Sequence, residues 1–268
     1  MIRPDPIEQP EVFLSDRAHV FIDKIISAHG GRDVWNTIAW LEADLSAYGF
    51  LFMAKQRPLL HKVRVRASAR DPYFQFCDFP DAGKTGELLG EDEVRIISAD
   101  GSVVETRFHP RDAFQRFRRK LWWDDLDFIY FGGYAIWNYL VTPFLFMHEG
   151  FSFEYTGEVQ LTEGAFSRLH AIFPAILPAH CRTQTFYFDE SGLLFRFDYT
   201  ADVVGGWAHA AHFCSGYRDF SGLKVPTRRR VRPLLFGRVL SMPTLVALDI
   251  HDVQTRPDSS LSEDKTVC

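Results

Sequence analysis

From Phe128 to Met147 twenty consecutive residues carry no charge, and a fold for this chain must first find somewhere to bury them. Twenty residues is enough to cross a bilayer, but the composition is wrong for lipid. Gly132-Gly133 interrupts the run, Asn138 sits in its middle, and Pro143 ends any helix at Thr142. Phe, Tyr and Trp stand where a spanning helix would carry Leu, Ile and Val. No stable membrane insertion is expected.

The segment reads instead as short helices. Asp124 is placed as an N-cap, with acids in the first turn and Trp123 and Phe128 at the N′ and N4 positions of a hydrophobic staple. Gly132-Gly133 is expected to stop that helix as a C-cap, with a second helix from Tyr134 to Val141. Upstream, Ala113, Phe114, Phe117, Leu121 and Trp122 recur at helical spacing against Arg116, Arg118, Arg119 and Lys120. Residues 111–147 therefore form a helical insert that needs a concave apolar partner.

Around the insert the chain reads as β. An amphipathic helix from Asp16 to His29 ends at Gly30-Gly31. In the next segment, Ala39 to Met53, apolar and polar residues alternate. Further strands are expected at Leu59–Ala69, Tyr73–Asp78, Val94–Ala99 and Val103–Phe108, the last two joined by an Asp100-Gly101 turn. After the insert come Phe151–Leu161, Phe166–Phe173, Cys181–Asp189, Leu193–Ala201, Trp207–Arg218, Val225–Leu234 and Thr244–Thr255. The fold class is mainly β: a curved, antiparallel open barrel of about 11–12 strands with the insert covering its concave side. Residues 1–255 form one domain, and the polar stretch 256–268 is expected to be disordered.

Composition excludes several functions. A net charge of −5 argues against nucleic acid as the partner, and the basic run Arg228-Arg229-Arg230-Val231-Arg232 alternates across a strand, so its charges divide between two faces. Cys77, Cys181, Cys214 and Cys268 form no metal or redox spacing, and they read as reduced thiols. No nucleotide, metal or nucleophile motif is present; neither a cofactor nor a metal is expected. The opening residues Met1-Ile2-Arg3-Pro4-Asp5-Pro6 lack signal-peptide character, so the expected location is cytoplasmic.

Ala28-His29-Gly30-Gly31 followed by Trp35, and the later block of Gln184, Phe188-Asp189, Gly192-Leu193-Leu194, Asp198-Tyr199, Gly222-Leu223 and Pro226-Thr227, resemble the LolA/LolB-like superfamily of bacterial lipoprotein localisation factors. The resemblance implies a half-closed antiparallel barrel, plugged by helices, that holds acyl chains.

Strand parity proposes an inward face independently. If Phe186, Phe188, Phe195, Phe197, Trp207, Ala211, Phe213, Val231, Val246, Leu248 and Ile250 point in, the polar residues sharing their parity are Gln184, Tyr199, His209 and Arg229, with His61 from the first half. Polar groups in an apolar cavity must find partners or a ligand. The expected ligand-binding set is His61, Gln184, Phe186, Phe197, Trp207 and Arg229, with Trp137 from the insert. A bulge would exchange His209 for His212. Two functions fit: a binder of a hydrophobic small molecule of lipid, terpene or polyketide type, or a cofactor-independent isomerase, cyclase or hydrolase in which His209 or His61 moves protons and Tyr199 with Arg229 steadies an oxyanion.

Overall fold

A computed structural model describes residues 10–257, with side chains from Arg17 onward. The Pro-rich start and residues 258–268 lie outside the described residues; of the stretch 256–268 expected to be disordered, Arg256 and Pro257 instead continue the last strand, paired with Trp40 and Ile38. In chain order the elements are α1 (Pro10–Ala28), α2 (Arg32–Asn36), β1 (Ile38–Tyr48), α3 (Phe50–Ala54), β2 (Leu60–Ser68), β3 (Tyr73–Cys77), β4 (Lys84–Leu89), β5 (Glu93–Ser98) and β6 (Val103–Phe108). The insert follows as α4 (Pro110–Ala113), α5 (Phe117–Leu121), α6 (Asp125–Val141) and a 3-10 turn at Phe144–Met147. The chain ends with β7 (Ser152–Leu161), β8 (Gly164–Ile172), β9 (Thr183–Phe188), β10 (Leu194–Thr200), β11 (His209–Phe220), β12 (Leu223–Leu235), β13 (Arg238–Val239) and β14 (Val246–Pro257).

The strands make one antiparallel sheet in the order β6-β5-β4-β3-β2-β1-β14-β12-β11-β10-β9-β8-β7, with β13 added to β12. It does not close, since β6 and β7 are its two edges. The expected mainly-β open architecture is the observed one, with β4 and β13 added to the expected strands. β1 stops at Tyr48, short of the expected Met53. Gly49 (φ 135°) turns the chain so tightly that a β-carbon there would lie 2.6 Å from the Leu245 carbonyl oxygen, and α3 begins at once.

α6 explains how the sheet holds its core. It is apolar on every side, as a helix must be when buried all round. Its N-terminal half lies on β3, β4 and β5, where Gly86 and Phe76 touch it. At its C-terminal end Tyr139 meets Phe197 of β10, His212 of β11 and Arg229 of β12. Strands from both halves of the sheet thus wrap a single helix, and one buried cluster runs from α1 through α6 to β14.

The expected stop at Gly132-Gly133 is not there, because α6 passes through both glycines. They serve proximity instead. A β-carbon on Gly132 would lie 3.0 Å from Phe76 and one on Gly133 3.2 Å from Leu88, so their bare backbone lets the helix settle onto the sheet. The start of α6 is as expected: Asp124 accepts from the Asp127 amide (2.9 Å), and Asp127 accepts from the Asp124 amide (3.0 Å). Arg107 and Arg119 bridge both carboxylates. The expected staple of Trp123 on Phe128 is replaced: Trp123 lies against Phe131, with ring centroids 4.8 Å apart, while Phe128 packs with Phe52, Phe76 and Phe79.

The cysteines need one correction. Cys181 and Cys214 are free, but Cys77 is disulfide-bonded, so the four are not all reduced thiols.

Candidate binding site

Two adjoining spaces lie between α6 and the sheet, with Tyr139 in the wall of each. The larger, about 50 Å3, is apolar along its length. Ala47, Leu60, Val246 and Leu248 of the sheet face Gly132, Ala135 and Ile136 of α6, and Tyr139 and Tyr199 close its inner end. Lys55 and Arg57 stand beside its mouth with Trp123. Lys55 donates to the Arg119 and Lys120 carbonyls (3.2 and 2.7 Å), and Arg57 pairs with Asp125. Exposed Phe50, Met53, Phe117 and Leu121 come from α3 and α5, the elements joined by Lys55.

The second space is smaller and narrow, polar on one side and aromatic on the other. Asn138, Thr142, His180, Gln184 and Arg229 face Phe173, Phe186 and Phe197. His180 arrives on the loop between β8 and β9 and is held from both ends: Tyr134 Oη lies 3.2 Å from Nδ1 and Tyr139 Oη 2.9 Å from Nε2. Tyr199 stacks on the imidazole at 4.0 Å. Asn138 Nδ2 anchors the same loop by donating to the Pro178 carbonyl (2.8 Å), and Arg111 of α4 donates to the Ala179 carbonyl (3.0 Å).

Burial sets the protonation states. It pushes His180 down to about 3, helped by the positive charge of Arg111, and Tyr139 up to about 12. Tyr134 and Tyr199 are raised by the same cause. His212 is lowered well below its ordinary value by burial, by Arg229 and by His180. At neutral pH the chamber therefore holds neutral imidazoles and un-ionised phenols around one guanidinium. Both His180 nitrogens are already engaged. The group offers hydrogen bonds in an apolar space, without a base poised to take a proton.

Of the residues expected from parity, Gln184, Phe186, Phe197, Tyr199, Arg229 and Trp137 are buried on the inner side. Trp137 donates to the Ser68 carbonyl (2.9 Å). Three residues are not inside. His61 is exposed because β2 slips its register against β1 between Leu45 and Ala47, and Lys62 (φ 50°) takes up the extra residue. Trp207 is 78% exposed, precedes β11, and covers the Gly205 turn. His209 is exposed and hydrogen-bonded to Thr200 (2.8 Å). Its strand runs in regular register, Phe197 opposite His212 and Tyr199 opposite Ala210, so His212 faces in without a bulge. The misleading residue is Phe213, which packs on the outer face with Phe195 (5.7 Å), itself stacked on Phe166 (4.3 Å).

Parity missed Tyr134, Asn138 and Tyr139, whose helical spacing on α6 carries a signal, and His180, whose loop position carries none.

No protein-family model and no curated protein matches the chain. Solved structures share its fold. A LolA superfamily protein from Nitrosomonas europaea is 11% identical, with 92% of this chain and 98% of that one covered and a TM-score of 0.51. A putative outer membrane lipoprotein-sorting protein domain from Vibrio parahaemolyticus is 12% identical, with 93% and 95% covered and a TM-score of 0.51. The fold is thus of the LolA-like kind. The expected cytoplasmic location is contradicted by this likeness, since the Vibrio parahaemolyticus neighbour is an outer membrane lipoprotein-sorting protein domain. Among the described residues no helix is long and apolar enough to cross a membrane.

Proposed function

We propose that the protein binds a hydrophobic, lipid-like molecule in the apolar space between α6 and the sheet, in a compartment outside the cytoplasm. The observation that carries this reading is the wall itself. Ala47, Leu60, Ala135, Ile136, Val246 and Leu248 line a slot whose wall is almost wholly apolar, as the walls of hydrophobic small-molecule sites are. Its inner end is closed by two tyrosines. The fold shared with the lipoprotein-sorting domain from Vibrio parahaemolyticus supports the same reading. We take the chain through 255 as one domain with 111–147 inserted, because one apolar cluster spans both. The acid–base alternative loses its proton movers, since His61 and His209 are exposed.

Native mass spectrometry of protein purified from its own host should reveal an apolar adduct that solvent extraction removes. The stripped protein should bind dodecanol, and Ala135→Phe, which fills the slot, should weaken that binding at least tenfold with the fold retained. Absence of an adduct together with no uptake of dodecanol would sink the proposal.

A further inference from the structure

Arg229 is 1% exposed, and no Asp or Glu among the described residues pairs with it. Several other buried or half-buried arginines do meet acids: Arg107 and Arg119 meet Asp124 and Asp127, Arg196 meets Asp198, and Arg230 meets Asp249. Arg229 has only neutral company. One terminal nitrogen donates to the Tyr139 carbonyl and the other to Cys214 Sγ (3.2 Å). Its Nε has no partner among the described residues. A desolvated cation without a counter-charge is strongly unfavourable, and the described residues supply none.

The space that Arg229 borders is built to receive one. Its polar wall carries Asn138, Thr142, His180 and Gln184, and the opposite wall is Phe173, Phe186 and Phe197. Beside it His212 is wholly buried, stacked on Phe197 at 4.3 Å and edge-on to Tyr139 at 4.5 Å. Neither of its ring nitrogens has a partner among the described residues. One unsatisfied buried nitrogen thus belongs to a residue lining the chamber and two lie beside it, and the only formal charge in its lining is +1. Tyr139 separates that chamber from the apolar slot and lines both.

We propose that Arg229 and its polar chamber are the seat of a ligand carboxylate, so that the bound molecule is an amphiphile with a single anionic end. This inference rests on the reading of the slot as a hydrophobic-ligand site, and it adds the ligand's charge and orientation. A carboxylate matches the lone guanidinium in charge and can accept bidentately from it. A phosphate dianion would leave excess negative charge in the same low-dielectric space.

Isothermal titration of the stripped full chain with dodecanoate, dodecanol and methyl dodecanoate tests it. Dodecanoate should bind at least tenfold more tightly than the two uncharged molecules, and Arg229→Met should abolish that preference. Equal affinities for all three in the unmodified protein overturn the carboxylate seat and leave the hydrophobic site standing. Binding of none removes both. Lys55 and Arg57 stand at the slot's mouth, so Lys55→Met and Arg57→Met are measured alongside. Loss of the carboxylate preference in either of these, or its survival in Arg229→Met, places the anion at the mouth and overturns the inference. If Arg229→Met does not fold, the two mouth variants decide: preference retained in both supports the Arg229 seat.

Discussion

Ile129 of α6 occupies the space that a β-carbon on Gly86 of β4 would need: the two side-chain carbons nearest that point are 2.7 Å from it. Helix and strand therefore meet at backbone distance in the middle of the molecule. Gly86→Val should cost about 1–3 kcal/mol by forcing α6 off the sheet, read as a lowered denaturant midpoint. An unchanged midpoint would mean that the helix does not rest on β4.

The same helix depends on its first turn. Asp124 caps it and also accepts ion pairs from Arg107 and Arg119. Asp124→Ala removes both and should destabilise by roughly 2–4 kcal/mol. Asp124→Asn keeps a capping oxygen and should cost less than half as much. Equal losses in chemical denaturation would show that the charge, not the cap, holds this end.

Much of this architecture is legible in the residues because periodicity survives wherever a strand has one dry face. β1 alternates from Leu41 to Ala47, and the cap at Asp124 needs only local chemistry. β4 was not legible for the reason its glycine matters. Thr85, Gly86, Glu87 and Leu88 are all buried, so the strand shows no alternation, and Gly86 reads as a breaker until a helix is seen to lie on it. Gly132-Gly133 misleads in the same way, since a stop and a contact surface are written with the same residue.

Stability should fall with acid through the buried histidines, of which His29 and His180 set the window and His212, also lowered well below its ordinary value by burial, acts in the same direction. His29, whose ring lies 2.7 Å from the Ile25 carbonyl, is pushed by burial from 6.5 down to about 4, and His180 down to about 3. In the unfolded chain both protonate near 6.5, so between that value and the folded one the unfolded state binds more protons. Their contribution is complete above pH 6.5 and is lost as pH falls through 4 and on toward 3. His29 alone accounts for about 3 kcal/mol over its window. Urea midpoints measured from pH 7.5 to 4.5 should fall, and His29→Gln should flatten the slope by up to one proton. A midpoint independent of pH in that range would contradict neutral burial of these rings.

The site was half legible. Gln184, Tyr199 and Arg229 could be placed inside because each shares a face with side chains that have to be buried. The limit of parity is that it presumes an outer face without aromatics, whereas here Phe166, Phe195 and Phe213 pack together outside, with Arg232 lying over Phe213. His180 lay beyond reach for another reason. It is brought in by a loop pinned through Arg111 and Asn138, and such long-range tethers leave no periodic trace.

His209 and His212, three residues apart on β11, should respond oppositely to substitution. His209 is exposed, with one hydrogen bond to Thr200 in water. His209→Ala should therefore change stability by no more than about 0.5 kcal/mol. His212 is fully buried among Tyr139, Phe197 and Tyr199, with both ring nitrogens unpartnered among the described residues. His212→Phe keeps a ring in the cage and removes two stranded polar atoms, each worth about 1–3 kcal/mol of desolvation when unpaired. In ligand-free protein it should be neutral or stabilising, and the melting temperature should hold or rise. A fall of several degrees in His212→Phe, with His209→Ala silent, would show that the buried imidazole makes hydrogen bonds that the fold depends on. A large loss in His209→Ala would instead return that residue to the interior and invert the face assigned to β11.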